Sequence, residues 1–394
     1  MSAHPRAIGL FAVALLPLVF LGYGTDVDTW NVRASADAIR SGDYVISRPP
    51  GAPVHEAATA VLDGIGGSLA TNIASLVAAL LVVYALASLL RRAHARHAEL
   101  AALTVAANPY FIASATSLSD ALWALAFLLC GIEAAQRRRA WLAGALWALA
   151  IGCRMATGLL VVAYLGAEVV VRWHLERRTV IAGGVAIVAG CALFVPAWLS
   201  VDRTGDFLQN SFGSPSMTGL FGRWVLKQAL FIGFPALIVL AVGWRSVVET
   251  ARRFTTESLV AFAFIGGLLT ELVFLRLPWK FAHLLPVLIC VVLIYALAPR
   301  TRAGWFIALA ACQLLWGVVA IRTAVPDVRN QATRVKFDVA VVSGPLLTDV
   351  RCRIDDLGTR SPHTPEQEYD HAVALYRCAD DWAYGGDVDV PAVP

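Results

Sequence analysis

The feature that most constrains this chain is a series of long apolar runs separated by short clusters of arginine. Hydrophobic residues make up 58% of the 394 residues and charged residues only 15%, and the mean hydropathy is +0.66. This balance is typical of a membrane protein. The basic residues form no continuous basic surface, so the net charge of +4 does not indicate a nucleic-acid partner. The sequence predicts an all-α, polytopic bundle of transmembrane helices.

The arginine clusters predict on which side of the membrane each connection lies. The positive-inside rule places such clusters in the cytoplasm. Six occur here, at residues 6, 91–96, 137–139, 172–178, 245–253 and 300–302. Each apolar stretch between two clusters is then a hairpin whose turn lies outside. We expect about eleven spans, with the N-terminus inside and the C-terminus outside.

One hairpin is too short for two complete spans. Only about 33 residues separate the clusters at 137–139 and 172–178, whereas one span needs ~20. A short or re-entrant helix that turns near residues 152–154 is expected there.

The chain divides into a transmembrane domain at residues 1–322 and a small extracytoplasmic tail at 323–394. The last predicted span, at 304–321, precedes the tail, which has few long apolar runs. Cys352 and Cys378 lie in the tail, where an outer location permits them to form a disulfide.

The first outer loop, residues 24–68, is long for a connector between spans. Trp30, Ala34 and Ala38 fall on one helical face of this loop, and charged residues spread over the other side. This pattern predicts one or two short interfacial helices on the membrane surface. Gly42 is expected to end the helix that contains Trp30.

Three acidic residues on the outer side have two interpretations each. Asp26 or Asp28 is suited to cap the loop helix, because an Asp side chain satisfies free N–H groups there. Either is also suited to take a proton from a hydroxyl group or to help hold a divalent cation. Asp120, in the second outer turn, has the same alternatives. Its place on the same membrane face indicates a shared site.

Several outer side chains are candidates for binding an anionic substrate. They are Arg48, Arg154, Arg276, Lys280 and His283. In hairpin turns, such cations reach a phosphate at the level of the lipid headgroups. Glu271, inside a predicted span, is expected to pair with one of them. Arg223 and Lys227 are interpreted as side chains that extend to the membrane interface.

This arrangement resembles the GT-C superfamily of membrane glycosyltransferases, and within it the protein O-mannosyltransferases and aminoarabinose transferases that use polyprenyl-phosphate sugars. The family's catalytic Asp follows the first span, with an aromatic residue four positions later, as Asp26 and Trp30 do. Asp28 gives an Asp-x-Asp form instead of the common Asp-Glu pair. The Pro-rich stretch at 44–53, residues 108–110 followed by Asp120, and Arg154 resemble further family features in the same order.

The resemblance implies transfer of a hexose such as mannose, with inversion, from a polyprenyl-phosphate donor in the cell membrane. The acceptor would be a hydroxyl of a glycan, lipid or protein on the extracytoplasmic face. Asp26, with Asp28, would be the base, and Asp120 would position the acceptor or a metal. Arg154, Arg276 or Lys280 would stabilise the departing phosphate. Because some members need a divalent cation and others do not, metal dependence stays open. Members of the family often carry a large soluble C-terminal domain, whereas a tail of 72 residues follows the last predicted span here, so acceptor recognition is not carried over from the resemblance.

Two other classes of protein remain as alternatives. A secondary transporter or lipid flippase would use intramembrane charges as its pathway and often shows two similar halves. A non-catalytic membrane scaffold would leave the acids outside any cavity. A loop helix over a cavity that contains Asp26 and Asp120 would instead support the transferase.

Overall fold

The computed structural model describes residues 4–201, 217–276, 280–326, 335–357 and 365–384, and most of them are helical. The α-helices span His4–Leu15, Val27–Arg40, Pro53–Arg92, Ala98–Ala106, Pro109–Ala115, Asp120–Gln136, Ala140–Cys153, Thr157–Arg172, Arg177–Leu193, Val195–Leu199, Met217–Ile232, Phe234–Val242, Trp244–Ala251, Ser258–Arg276, Leu285–Leu297, Ala303–Val318, Pro345–Leu357 and Pro365–Tyr384. Short 3-10 helices lie at Leu16–Phe20 and Phe281–Leu284. The prediction of a helical protein is confirmed.

Three described helices are long and apolar enough to cross a membrane, namely Pro53–Arg92, Arg177–Leu199 and Ser258–Arg276. Two bent helix pairs raise the number to as many as five. Shorter apolar helices include Ala140–Cys153 and Ala303–Val318. These findings support a membrane protein, while the count of about eleven spans and the inside-outside assignment stay predictions.

The short hairpin at residues 140–172 consists of two brief helices, Ala140–Cys153 and Thr157–Arg172, as the number of available residues requires. Small residues let neighbouring helices approach closely here. A Cβ atom added at Gly144 would lie 2.6 Å from the Cβ of Val185, and one at Gly131 would lie 2.4 Å from the Trp147 ring. A larger side chain at either glycine would therefore push two packed helices apart.

The helix Pro53–Arg92 is broken at Gly66 and Gly67, which have non-helical backbone angles. Its first part belongs to the predicted outer loop. After the break, the Asn72 side chain donates hydrogen bonds to the carbonyl oxygens of Val19 at 2.9 Å and Gly22 at 2.6 Å. These carbonyls end the first helical segment of the chain, so Asn72 fixes the point from which the loop with Asp26 departs.

The tail begins with a two-stranded antiparallel sheet formed by Val319–Pro326 and Val335–Ser343. The helix before it ends at Val318, slightly before the predicted end of the last span. Two helices follow, which we call the first tail helix, Pro345–Leu357, and the second tail helix, Pro365–Tyr384. A disulfide joins them between Cys352 and Cys378, with a Cα–Cα distance of 6.0 Å.

Arg353 anchors the first tail helix in the rest of the protein, the described residues up to Val318, which we call the body. Its side chain is almost fully buried and donates to the carbonyl oxygens of Leu18 at 3.0 Å, Leu21 at 3.0 Å and Thr116 at 2.6 Å. Carbonyl groups at the ends of helical segments lack partners within the helix, and a guanidinium group supplies several donors at once. The tail is thereby packed onto the body.

Candidate active site

An open cavity of about 1000 Å³, counting its mouth to solvent, contains the three predicted acids. Its charged lining residues are Asp26, Asp28, Arg48, Asp120, Arg154, Lys280 and Asp349. The loop helix, Val27–Arg40, contributes Asp28, Thr29 and Val32 to its wall. The structure therefore brings together residues that lie far apart in the sequence.

Two backbone segments are joined beside this cavity. The Leu118 amide donates to the carbonyl oxygen of Tyr23 at 2.8 Å, and the Thr29 hydroxyl donates to the carbonyl oxygen of Leu118 at 3.0 Å. Gly24 allows the close approach, because its φ of +119° suits glycine and an added Cβ would lie 2.6 Å from that of Ser117. These contacts place the acids of the first loop near Asp120.

Asp26 is the N-cap of the loop helix, as one interpretation predicted. Its Oδ1 accepts from the Asp28 amide at 2.9 Å and contacts Lys280 Nζ at 2.6 Å. Within the described part of the chain, no hydrogen bond reaches its other oxygen, Oδ2. The side chain is 43% exposed. Capping and access to the cavity are thus combined in one carboxylate.

Asp28 lies between two cations. Its Oδ2 is 2.6 Å from Lys280 Nζ and 2.9 Å from Arg48 Nη1. Burial alone would raise the pKa of Asp28, but the charges of Arg48 and Lys280 outweigh it and hold that pKa well below its usual range. For Lys280, burial would lower the pKa, but Asp26 and Asp28 raise it. Both groups are therefore charged at neutral pH.

Arg48 connects the first loop with Asp120, because its Nη1 pairs with Asp28 and its Nη2 with Asp120. A buried carboxylate holds this arginine in place. Glu56 accepts from the Ser47 amide at 2.9 Å, from the Ser47 hydroxyl at 2.5 Å and from the Tyr44 hydroxyl. Glu56 was not among the residues predicted for the site. A buried acid in the first turn of an apolar helix after a Pro-rich segment was the available signal.

Asp120 is the first residue of the helix Asp120–Gln136, but it does not cap that helix. The N-cap is Ser119, whose side chain accepts from the Ala121 amide at 3.4 Å. The capping interpretation of Asp120 is therefore wrong. Its carboxylate instead faces Arg48 and lies 3.7 Å from Arg154 Nη1. The helix begins there because the chain bends by 96° after the short helix Pro109–Ala115.

Acids and cations alternate along the network in the order Asp26, Lys280, Asp28, Arg48, Asp120 and Arg154. Each of the three carboxylates faces at least one cation. Partly buried charges persist at low cost only when they are paired in this way. The network is balanced in charge, so an anionic ligand would have to take over one of its cations.

A second cavity, of about 600 Å³ including its opening, lies next to the first and is mainly apolar. Its lining includes Leu159, Leu160, Val273 and Phe274, together with Arg154. Arg154 therefore lines both cavities and stands at their junction. The helix Ala140–Cys153 ends just before it.

Two predicted substrate-binding residues do not line the first cavity. His283 lines the second cavity. Arg276 is an exposed residue at the end of the helix Ser258–Arg276 and is absent from the described lining of both cavities. Both residues belong to the predicted outer turn near the end of the helix Ser258–Arg276, but tertiary packing decides which way each side chain points.

Two expectations about neighbouring charges are wrong. Glu271 does not pair with a cation of the site but accepts hydrogen bonds from Trp224 at 2.6 Å and Gln228 at 2.6 Å. Lys227 does not extend to an interface, since it is buried with its Nζ 4.3 Å from the centre of the Phe281 ring. The aromatic ring offers a partner for the ammonium group there.

The tail forms the remaining wall of the first cavity. Its lining residues are Pro345, Asp349, Tyr376, Ala379 and Trp382. Asp349 accepts a hydrogen bond from the Thr25 hydroxyl at 2.6 Å, directly beside Asp26. This wall was outside the predicted site, because nothing in the local sequence of the tail links it to the first loop.

The carboxylates were also considered as ligands of a divalent cation, which requires several oxygen ligands that face one point. Across the described ranges, no group of three or more His, Cys, Asp or Glu side chains has an arrangement suited to a metal. Asp26, Asp28 and Asp120 face cationic side chains instead. In this arrangement, these side chains therefore do not fit a metal site.

A comparison with protein families gives a match over part of the chain. Residues 47–199 match the family described as dolichyl-phosphate-mannose-protein mannosyltransferase. Searches of curated proteins and of solved structures give no match. The matched segment includes Arg48, Glu56, Asp120 and Arg154. Over this segment the chain carries the pattern of the mannosyltransferase family, which confirms its resemblance to the GT-C membrane glycosyltransferases.

Proposed function

We propose that this protein transfers a hexose, with mannose as the first candidate, from a polyprenyl-phosphate donor to an acceptor hydroxyl with inversion at the anomeric carbon. The observation that carries the proposal is the position of Arg154 between an apolar cavity and a cavity that contains three acids. A lipid-linked sugar has the same three parts: an apolar chain, a phosphate and a polar sugar.

The donor fits this junction with its phosphate at Arg154. The polyprenyl chain would enter the apolar cavity, and the sugar would lie in the cavity with the acids. The Arg154–Asp120 distance of 3.7 Å is the longest in the charge network. Because Coulomb attraction weakens with distance, Arg154 is the cation most easily transferred from its carboxylate to a phosphate.

Asp26 is the favoured base. It contacts one cation, Lys280, whereas Asp28 contacts both Lys280 and Arg48. A carboxylate held by two cations is a weak proton acceptor, as the lowered pKa of Asp28 indicates. Asp26 is also the more exposed of the two, so an acceptor hydroxyl can reach it.

In the proposed reaction, Asp26 takes the proton of the acceptor hydroxyl, whose oxygen forms a bond to the anomeric carbon. The bond between that carbon and the phosphate oxygen breaks, and its electron pair leaves with polyprenyl phosphate. The phosphate thereby gains one negative charge. Arg154, with Arg48 and Lys280 nearby, would stabilise that charge in a partly enclosed site.

The proposal places the cavity at the extracytoplasmic face of the cell membrane. The helix Asp120–Gln136 starts in the cavity and ends at the arginine cluster 137–139, and the helix Ala140–Cys153 returns from that cluster to Arg154. The cluster and the cavity thus lie at opposite ends of two helices. If the arginines face the cytoplasm, the cavity faces outward.

The loop helix over a cavity with Asp26 and Asp120 also favours a transferase over the transporter and scaffold alternatives. A transporter pathway is expected to place its ionisable groups near the middle of the membrane. Here the charge network lies at helix ends and in loops, and its acids face a cavity.

The test is to incubate purified protein with a panel of polyprenyl-phosphate sugars and to measure the release of polyprenyl phosphate. We expect release from the mannose donor by the wild type and at least about a 100-fold decrease for Asp26→Asn, since a general base typically contributes that much. Asp37→Asn is the matched control. Asp37 lies in the same loop helix, but it is exposed and pairs with Arg40.

The control variant should retain the wild-type rate. Release by Asp26→Asn at the wild-type rate would contradict the role of Asp26. No release from any donor in the panel would contradict the proposed function as a whole.

A further inference from the structure

We infer that the tail wall of the cavity selects the acceptor, and that this acceptor is a neutral glycan. The inference rests on the proposed function and adds to it the identity of the acceptor class and the residues that bind it. It starts from the position of Asp349, Tyr376 and Trp382, which face the charge network across the cavity.

Hydrogen bonds and a disulfide hold the tail wall beside the acids of the site. From the first tail helix, Arg353 donates hydrogen bonds to the carbonyl oxygens of Leu21 and Thr116. Leu21 precedes Asp26 and Asp28 in the chain, and Thr116 precedes Asp120. Asp349 accepts from Thr25, the residue before Asp26. The disulfide holds the second tail helix, with Tyr376 and Trp382, against the first. An acceptor bound by these residues would therefore lie beside the proposed base.

Charge indicates that the acceptor is not anionic. Among the described residues that line the cavity, the cations Arg48, Arg154 and Lys280 all come from the body, where three acids already face them. The donor phosphate would occupy at least one of these cations. The tail adds one further carboxylate to this lining, Asp349, whose cation Arg353 lies 3.5 Å from its Oδ2 and does not line the cavity, so the described tail residues offer an anionic acceptor no cation.

The chemistry of the tail wall matches a sugar. The half-buried Tyr376 provides aromatic surface, and the buried rings of Trp382 and Phe281, whose centres are 6.0 Å apart, complete the aromatic part of the lining. A sugar ring has apolar C–H faces that pack on aromatic rings, and hydroxyl groups at its edge that a carboxylate accepts. Asp349 and the serine and threonine hydroxyls of the cavity supply such partners.

A polypeptide acceptor fits the cavity less well. An extended peptide is usually held by main-chain hydrogen bonds, often along the edge of a sheet. The two tail strands contribute no residue to the described lining of this cavity. The lining that the tail does provide consists of side chains from helices, which suits recognition of a compact polar ring.

The first test measures binding without any donor. Detergent-solubilised wild-type protein is titrated with neutral mannose oligosaccharides, with phosphorylated oligosaccharides and with a Ser/Thr-rich peptide. We expect saturable binding of a neutral oligosaccharide only. Asp349→Asn and Tyr376→Ala should each weaken it by about tenfold or more, as loss of one charged hydrogen bond or one stacking ring does.

Asp355→Asn is the matched control, because Asp355 lies in the same tail helix but is 67% exposed and faces Arg351. It should bind as the wild type does. An intact Cys352–Cys378 disulfide and an unchanged melting temperature show for each variant that the tail is folded. Tighter binding of the peptide or of the phosphorylated sugar, no saturable binding of any probe, or unchanged binding by both tail variants, would overturn the inference.

The second test separates this inference from the proposed function. In the same preparations, release of polyprenyl phosphate to water is measured together with sugar transfer to the oligosaccharide. Asp349→Asn should lower the ratio of transfer to release by about tenfold. An unchanged ratio in this variant would contradict a role in acceptor binding, whereas absence of donor turnover in the wild type would contradict the proposed function.

Discussion

The two walls of the cavity are built from different chemistry. The body wall is a network of three acids and three cations, whereas the tail wall combines one carboxylate with aromatic rings and is fixed from behind by Arg353. The first kind of wall suits a phosphate and a proton transfer, and the second suits an uncharged polar ligand. Under the proposed function, this difference would assign donor chemistry and acceptor choice to separate parts of the chain.

The largest effect is expected when the tail wall loses its anchor. Arg353→Met leaves the carbonyl groups of Leu18, Leu21 and Thr116 without their donor and leaves the carboxylate of Asp349, 3.5 Å from Arg353 Nη1, without its cation. Removal of one partner from a buried charged network typically costs about 3 kcal/mol or more. We expect a correspondingly lower free energy of unfolding in thermal and denaturant melts in detergent.

Arg351→Met is the control for this change. Arg351 lies two residues away in the same helix, but its side chain is 77% exposed, so its loss should alter stability by less than about 0.5 kcal/mol. Equal melting curves for the two variants would show that the tail wall is not anchored as described.

The body wall is tested next by Arg48→Lys. Arg48 uses two separate guanidinium nitrogens to reach Asp28 and Asp120, and a lysine ammonium, as a single point charge, cannot reproduce this fork. We expect release of polyprenyl phosphate to fall by about tenfold to a hundredfold, because two acids lose their shared partner. Arg300→Lys is the control. The side chain of Arg300 is 83% exposed, so this variant should have the wild-type rate.

A smaller and graded effect is expected at Glu56, which positions Arg48 through Ser47 and Tyr44. Glu56→Gln keeps one acceptor oxygen for Ser47, whereas Glu56→Ala leaves the buried Ser47 amide without a partner. An unsatisfied buried donor costs about 1–3 kcal/mol. Donor turnover should therefore fall in the order wild type, Glu56→Gln, Glu56→Ala. The reverse order of the two variants would exclude this positioning role.

The smallest effect concerns pH. The pKa of Asp28 is lowered in the folded protein, so its stabilising contribution is complete above the ordinary pKa of 3.8 and decreases as the pH falls further. The pKa of Lys280 is raised, so its contribution is complete below the ordinary value of 10.5 and is lost as the pH rises through the raised value. The contribution of the Asp28–Lys280 pair to the melting temperature should therefore stay constant between about pH 5 and pH 9.

The difference in melting temperature between the wild type and Asp28→Asn measures this contribution. It should stay constant across that range and shrink only in stronger acid. A difference that disappears between pH 5 and pH 7 would show that Asp28 is not held by two cations.

Much of the body wall could be predicted from the sequence, because it follows from membrane topology. The arginine clusters placed Asp26, Asp120, Arg154 and Lys280 on one side, and the structure brings them into one cavity. Charge counting also identified Arg48, but not Glu56, whose role depends on how the 44–48 segment folds back onto a helix.

The tail wall could not be predicted in the same way. Thr25 and Asp349 are 324 residues apart in the chain, and neither belongs to a motif that would link them. Lys227 and Glu271 show the same limit inside the bundle, since their partners are side chains on other helices or an aromatic ring. Side-chain direction within a packed bundle is a tertiary property that periodicity does not give.

The most direct test of the account compares Asp26→Asn with Asp349→Asn in one assay that records both release of polyprenyl phosphate and transfer to a neutral oligosaccharide. The account predicts that Asp26→Asn loses both activities, while Asp349→Asn lowers the ratio of transfer to release. An unchanged ratio in Asp349→Asn, or wild-type transfer by either variant, would contradict the division of the cavity into a donor wall and an acceptor wall.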